Sequence, residues 1–395
     1  MRDDEQSPAK AAFRLLGPSG DFTAAGIMRA LPRGGAATLA GRVRDFFAGC
    51  DGSPGYLVGA LPFERDRDDF LYQPETVSTA AAGTPPRAAP WPAYDGGEGG
   101  WLLSPKPEAA AYGETVARCL AMIDASNDEA APLRKVVLSR SLAITARRKV
   151  DPHGLFARLG ADSSVTTFLA SLPAGETGTR PVLVGATPEL LVSRNGRQVV
   201  SHPLAGSARR DADQALDRQA AEWLARSDKN RREHREVVEA VMDTLAPYCD
   251  GLGAPDGTTL RSTATMWHLG TRIVGTLRDM EVGVAELAAA LHPTPAVCGM
   301  PRLAAARVIR RLEGYDRGFY AGAVGWSDRA GDGEWYVALR CAEVENCRVR
   351  LFAGAGIVAG SEPAAETDET SAKFLAMLNA LGIDENGLPL REKAA

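Results

Sequence analysis

No apolar run in this chain approaches the ~18 residues that a membrane-spanning helix needs. The opening MRDDEQSPAK is charged and polar, without the apolar stretch of a secretion signal. Those absences set aside a membrane partner and lead to the expectation of a cytoplasmic protein. The six cysteines, at 50, 119, 249, 298, 341 and 347, form neither a C-x-x-C pair nor a Cys/His zinc pattern. Reduced, mostly buried thiols are therefore expected instead of a disulfide framework or a zinc site. An excess of positive charge is also missing: the formal net charge is −5, which argues against nucleic acid or an anionic membrane as partner. A dinucleotide fingerprint is absent too. Among Gly354, Gly356 and Gly360 the third falls one place late for G-x-G-x-x-G, and no Val-rich parallel βαβ unit surrounds them.

What is present describes a globular protein. The 395 residues are 45% hydrophobic and 24% charged, enough for a substantial core. Residues 1–50 are weakly patterned, with a short helix expected at about 43–48. Residues 75–100, rich in Pro, Gly and Ala, read as a loop or linker. Strands are expected at 56–63, 135–145, 166–173, 181–188, 189–196, 197–206 and 263–278. Helices are expected at 107–127, in VAELAAALHPT and LAAARVIRRLE, and as one long helix from Asp217 to about Pro247. Arg194-Asn195-Gly196 marks a hairpin turn. Residues 319–358 read as a three-strand meander leading into a last helix, with Ser361 as N-cap, Pro363 in the first turn and Gly382 as stop. Successive antiparallel strands with a helix before them predict an α+β layer and not a Rossmann sheet.

Four islands are too polar for their apolar settings. Lys135 opens a strand otherwise made of Val136, Val137 and Leu138, and Glu189 stands between Pro188 and Leu190. Glu233 and His234 lie inside the long helix. Glu366, Glu369 and Lys373, spaced three and four apart, share one face of the last helix. Arg340 adds a cation at the end of the apolar strand YVAL. Singly, each has a bland reading as an edge lysine, a strand-end glutamate or a solvated helix face. Together they make a kit. Three carboxylates without histidine or cysteine partners suit a hard, oxygen-seeking ion such as Mg²⁺. An arginine and Gly-rich backbone suit a carboxylate, and a lysine and a glutamate in apolar settings suit base and acid. The implied substrate is a small polyanion.

At these islands the sequence resembles the chorismate-utilising enzymes and, within them, the isochorismate synthases. GATPELL, PLAGSARR, KNRREH, LHPTPAVCGMP, GWSD…GEWYVALRCAE and LFAGAGIV…AETDET occur in the family's order, over nearly the whole span from YLVGALPF to the final helix. The resemblance implies a large α+β fold: one chorismate-binding catalytic domain over 51–395, with its motif-dense core at 130–382. Two antiparallel β-sheet halves would pack together, with helices outside and the active site between them. It also implies Mg²⁺-dependent isomerisation of chorismate to isochorismate. By motif, Lys135 would activate water for attack at C2 and Glu189 would protonate the departing C4 hydroxyl. Glu233 and Glu369 would hold Mg²⁺ with Glu366 assisting. Arg340 and the Gly354 backbone would take the enolpyruvyl carboxylate, Gly206 and His268 would lie near the ring, and Lys373 would be a further substrate contact.

Relatives that add ammonia carry glutamine in place of Lys135 and need a glutaminase. No glutaminase nucleophile motif is visible here, so no such subunit is expected. Salicylate synthases share Lys135 and the metal carboxylates, yet differ around LHPTPAVCG, whose HPTPA form resembles isochorismate synthases of the siderophore or secondary-metabolite type. Menaquinone is another known fate of isochorismate. A chorismate-binding protein without turnover is the alternative of another class, against which stands the presence of all five catalytic and metal groups. Thr367 and Asp368 stand where the family often has a larger residue, which leaves open whether Asp368 reaches the metal. A monomer is the default expectation.

Overall fold

The structure, a computed structural model, describes residues 12–49, 54–81, 101–127, 130–175 and 178–390. Among these, eight α-helices accompany three antiparallel sheets of ten, nine and three strands. The ten-stranded sheet is built on one long pair, Lys135–Thr145 against Arg348–Val358, in unbroken register from Arg348 opposite Thr145 to Val358 opposite Lys135. Both strands are buried along most of their length because both faces of this sheet are covered. Alternation along Thr166–Ser171 shows it: Phe168 and Ala170 face the larger core, and Leu169 faces the smaller one.

The larger core is shared with the nine-stranded sheet. Phe13 and Phe168 from one sheet and Leu57 and Trp335 from the other are fully buried in it. Burying one such Phe or Leu stabilises by about 1.5–3 kcal/mol. On the outer face of the ten-stranded sheet, the helices Pro152–Leu159 and Pro363–Leu381 close the smaller core with Phe156, Phe374, Met377 and Leu381. The expected two antiparallel sheet halves with helices outside are present. The sheets are not sequential halves of the chain, however, since Ala12–Gly17 pairs with Thr166–Ser171 in the sheet that also holds Arg348–Val358.

Several boundaries differ from the sequence reading, each for a local reason. The long helix is two, Gln214–Arg226 and Asp228–Leu245, because Ser227 is extended and its hydroxyl accepts from the Asn230 N–H. The stretch 197–206 breaks at Pro203, which has no N–H for a ladder. Gln198–His202 stays in the nine-stranded sheet and Leu204–Arg209 enters the small one. Residues 263–278 divide in the same way into Met266–Thr271 and Ile273–Leu277. The presumed meander is four strands, and the chain changes sheet between Gly333–Val337 and Cys341–Glu345.

Within 75–100, Thr76–Ala80 is an edge strand paired with Gly20–Ala25, and 82–100 lie outside the described residues. Ser361 is not the N-cap of the last helix. Glu362 holds that place, while the Ser361 hydroxyl accepts from the Val358 N–H. Gly382 ends the helix with φ 83°, as its left-handed conformation requires. Cys119, Cys249, Cys298 and Cys341 are buried free thiols, Cys347 is half-buried, and Cys50 lies outside the described residues. No helix of the described residues is long and apolar enough to cross a membrane.

Candidate active site

Two site residues come from two of the places where the chain steps between the large sheets. Pro188 and Glu189 link Val182–Thr187 to Leu190–Asn195, and residues 338–340 link Gly333–Val337 to Cys341–Glu345. The crossings run side by side. The Ala186 N–H donates to the Arg340 carbonyl at 3.2 Å, and the Val337 N–H donates to the Glu189 carbonyl at 3.1 Å. Glu189 and Arg340 at these crossings line a gap bounded by the ten-stranded sheet, the three-stranded sheet and the helices Asp228–Leu245 and Pro363–Leu381. Arg340 also carries a positive φ of 45°, rare for a residue with a Cβ.

That gap is a cleft of about 930 Å³ including its mouth. Nine of the ten residues given a role in the site line it: Glu189, Gly206, Glu233, His268, Arg340, Gly354, Glu366, Glu369 and Lys373. The tenth, Lys135, is not among the lining residues; it is buried beside Gly356 and Glu233 at the edge of the cleft, with its Nζ 2.8 Å from Glu233 Oε1. Gly354 and Gly356 show the same face of their strand to the cleft. A Cβ on Gly356 would stand 2.8 Å from Glu233 Oε1, and one on Gly354 would stand 3.0 Å from the Tyr320 hydroxyl. Glycine here serves close approach. At Gly206 it serves conformation, with φ 74° at a bulge in the pairing with Met266–Thr271.

Electrostatics divide the carboxylates into two kinds. Burial pushes Glu189 up to about 8, which the charge of Lys135 and a hydrogen bond from the Leu204 backbone only partly offset. Its Oε1 has no hydrogen-bond partner among the described residues. It is a carboxylic acid at neutral pH. The other three face lysines: Glu233 meets Lys135 at 2.8 Å, Glu366 meets Lys229 at 3.3 Å and Glu369 meets Lys373 at 2.6 Å. Burial, then the neighbouring Glu369, raises Glu366. Burial would raise Glu369 as well, but Lys373 and the Ser207 hydroxyl outweigh it and hold its carboxyl below the ordinary value.

His268 is kept neutral, its pKa well down through burial and then the charge of Arg340. Its Nε2 can therefore accept from the Arg340 guanidinium, with which it is paired. Burial also lowers Arg340, to about 10, which leaves it charged at neutral pH.

The donor chemistry of Glu233, Glu366 and Glu369 fits Mg²⁺, since it is oxygen alone and holds two carboxylates close enough to repel. The three do not converge: among the described residues no three acidic, histidine or cysteine groups stand close enough to share one ion. A cation there would have to take oxygens that face ammonium groups in this structure. Asp368 is not part of the set. It is exposed on the other side of the helix, where its charge acts on Arg140.

Sequence reasoning missed Lys229, Asn230, Ser207 and Tyr320, all of which line the cleft. Lys229 stands four residues before Glu233, a spacing that places both on one helix face. Ser207 follows Gly206 directly. Tyr320, stacked on Phe352 with centroids 4.8 Å apart, gave no signal beyond an aromatic in an apolar run.

Residues 101–382 match the family model described as chorismate binding enzyme. The chain is 42% identical over 383 residues to the isochorismate synthase DhbC of Bacillus subtilis, covering 94% of each. It is 39% identical over 327 residues to the isochorismate synthase EntC of Escherichia coli, covering 83% of this chain and 81% of that one. DhbC from Bacillus anthracis, described as a candidate 2,3-dihydroxybenzoate-specific isochorismate synthase, has a solved structure that matches with TM-score 0.88 and 38% identity over 96% of this chain and 98% of that one. By its family match, by identity over nearly its whole length and by its fold, the chain belongs to the chorismate-binding enzymes, in the group of the isochorismate synthases.

Proposed function

We propose that this enzyme converts chorismate to isochorismate with Mg²⁺, by water attack at C2 and loss of the C4 hydroxyl. The observation that carries the mechanism is Glu189: a carboxyl that lines the cleft, raised to about 8 by burial, with one buried oxygen free of hydrogen-bond partners among the described residues. Hydroxide is a prohibitive leaving group, so an acid held protonated at neutral pH is the component the reaction needs most. As water oxygen bonds to C2 and its proton passes to Lys135, the ring double bonds shift in concert with cleavage of the C4–O bond, and Glu189 gives its proton to the departing oxygen. One water is consumed and one is formed, and exchange with solvent restores Lys135 and Glu189. Lysine takes a proton only as the neutral amine, and the Glu233 carboxylate 2.8 Å away is the group that must turn from it.

Glu233, Glu366 and Glu369 would hold Mg²⁺, which when bound supplies positive charge against the ring carboxylate of the substrate and fixes its orientation. Arg340, oriented by His268, retains guanidinium donors for the enolpyruvyl carboxylate. The HPTPA motif and the likeness to the Bacillus anthracis relative described as 2,3-dihydroxybenzoate-specific favour a product destined for siderophore-type aryl acids. The test is Glu189→Gln, which keeps the shape and removes the acid. Conversion should fall by about 10²–10⁴-fold while chorismate still binds, and wild-type turnover would remove Glu189 from the mechanism.

A further inference from the structure

Lys229 has no part in the scheme above, yet it stands in the cleft beside the most deeply buried of the three carboxylates. The three acid–lysine pairs differ in how each lysine is held. Lys135 is buried, with its ammonium 2.8 Å from Glu233. Lys373 is tied twice, at 2.6 Å to Glu369 and at 2.8 Å to the Gly354 carbonyl. Lys229 is 41% exposed along its side chain, and its contacts are the longest, 3.3 Å to Glu366 Oε1 and 3.4 Å to Ser361 Oγ. Its partner Glu366 is only 6% exposed at the side chain. A carboxylate so buried, with Glu369 repelling it, needs a positive neighbour. Of the three lysines, Lys229 alone combines a loose contact with a ready path to solvent.

We propose that Lys229 is a displaceable counter-ion, which holds Glu366 while no metal is present and moves out to water when a divalent cation takes that oxygen. This inference rests on the reading of Glu233, Glu366 and Glu369 as the Mg²⁺ carboxylates. The long lysine stem reorients by rotation about its own bonds, and an exposed ammonium regains its hydration at once. The helix Asp228–Leu245 places Lys229 one turn before Glu233, so the element that presents one metal ligand also neutralises another. The metal then competes with an ammonium for Glu366, and removal of the ammonium tightens metal binding.

The test is calorimetric titration of MgCl₂, without chorismate, into wild-type protein, Lys229→Met and Lys229→Arg, with melting curves at matched Mg²⁺. Lys229→Met should bind Mg²⁺ about two- to fivefold more tightly, the size of a part-exposed ion pair. It should also melt earlier without metal and gain more from Mg²⁺ than the wild type does. Lys229→Arg, which keeps the charge, should stay close to the wild type. Equal or weaker Mg²⁺ binding by Lys229→Met, with uptake by the wild type intact, overturns the inference and spares the metal reading. No Mg²⁺ uptake by the wild type overturns both. Unchanged Mg²⁺ affinity with a raised KM for chorismate also overturns it, and makes Lys229 a substrate contact.

Discussion

Glu189 and Lys135 are both charged residues in apolar surroundings, yet their environments differ. Glu189 has lost water without gaining a cation in contact, whereas Lys135 has an acid at 2.8 Å. The pH dependence follows from the first. Glu189 acts as an acid only while protonated, so kcat/KM should fall as pH rises through about 8, and that limb should vanish in Glu189→Gln. A pH–rate profile checks it. The stability sign is consistent. Because the folded pKa lies above the ordinary 4.5, the unfolded chain loses this proton first. The contribution of Glu189 to stability therefore declines as pH rises between those values and levels off above about 8. Lys135→Ala should abolish water addition and leave chorismate affinity nearly unchanged, as measured by turnover and by equilibrium binding. Wild-type turnover would remove the base assignment. Both residues were legible because a charge inside an apolar strand is conspicuous. Lys229 was not, because in KNRREHRE one more cation looks like any solvated helix face.

At the scale of elements, the site depends on places where strands approach or depart from one another. The G-x-G of Arg348–Val358 reads in sequence as a backbone that comes close to something, and in the structure that something is the Lys135–Glu233 pair. Gly356→Ala would put a methyl group 2.8 Å from Glu233 Oε1 and 3.1 Å from Lys135 Cε. Turnover should fall at least about tenfold while the melting temperature shifts little, since both neighbours are side-chain ends that can yield at the expense of their pairing. Unaltered turnover would show that this pairing is not needed. The sheet crossings were only half legible. GATPEL and YVALR were visible as strand ends, but periodicity records which face a residue takes and not which sheet it joins. Ser227 and Pro203 were also legible in kind. Each is a poor interior residue, and each broke an element that hydrophobic pattern alone had run together.

For the whole molecule, the cleft is held from behind by a buried ion pair. Glu313 and Arg317 are 1% and 2% exposed at their side chains. Glu313 accepts from Ser139 N at 2.6 Å, and Arg317 donates to the carbonyls of Val297 and Val137, both lining the cleft. Glu313→Ala would leave Arg317 charged and unpaired in the interior, a loss of about 3–5 kcal/mol. Chemical denaturation measures it, and a change below about 1 kcal/mol would contradict the network. Nothing in EGYDR distinguishes this pair from surface charges, because its burial follows from the packing of two sheets assembled from distant segments. The α+β class and the antiparallel strands were legible, while the interleaving of N- and C-terminal strands in one sheet was not.

The reaction proposed for this cleft is the isomerisation of chorismate with Mg²⁺. Proton NMR of the purified protein with chorismate, with and without Mg²⁺, tests it directly, because substrate and product have equal mass and differ in ring protons. Isochorismate signals should grow to a mixed equilibrium only when Mg²⁺ is present. Salicylate with pyruvate would contradict it by adding an elimination. Chorismate that broadens on binding yet persists with Mg²⁺ would contradict it outright.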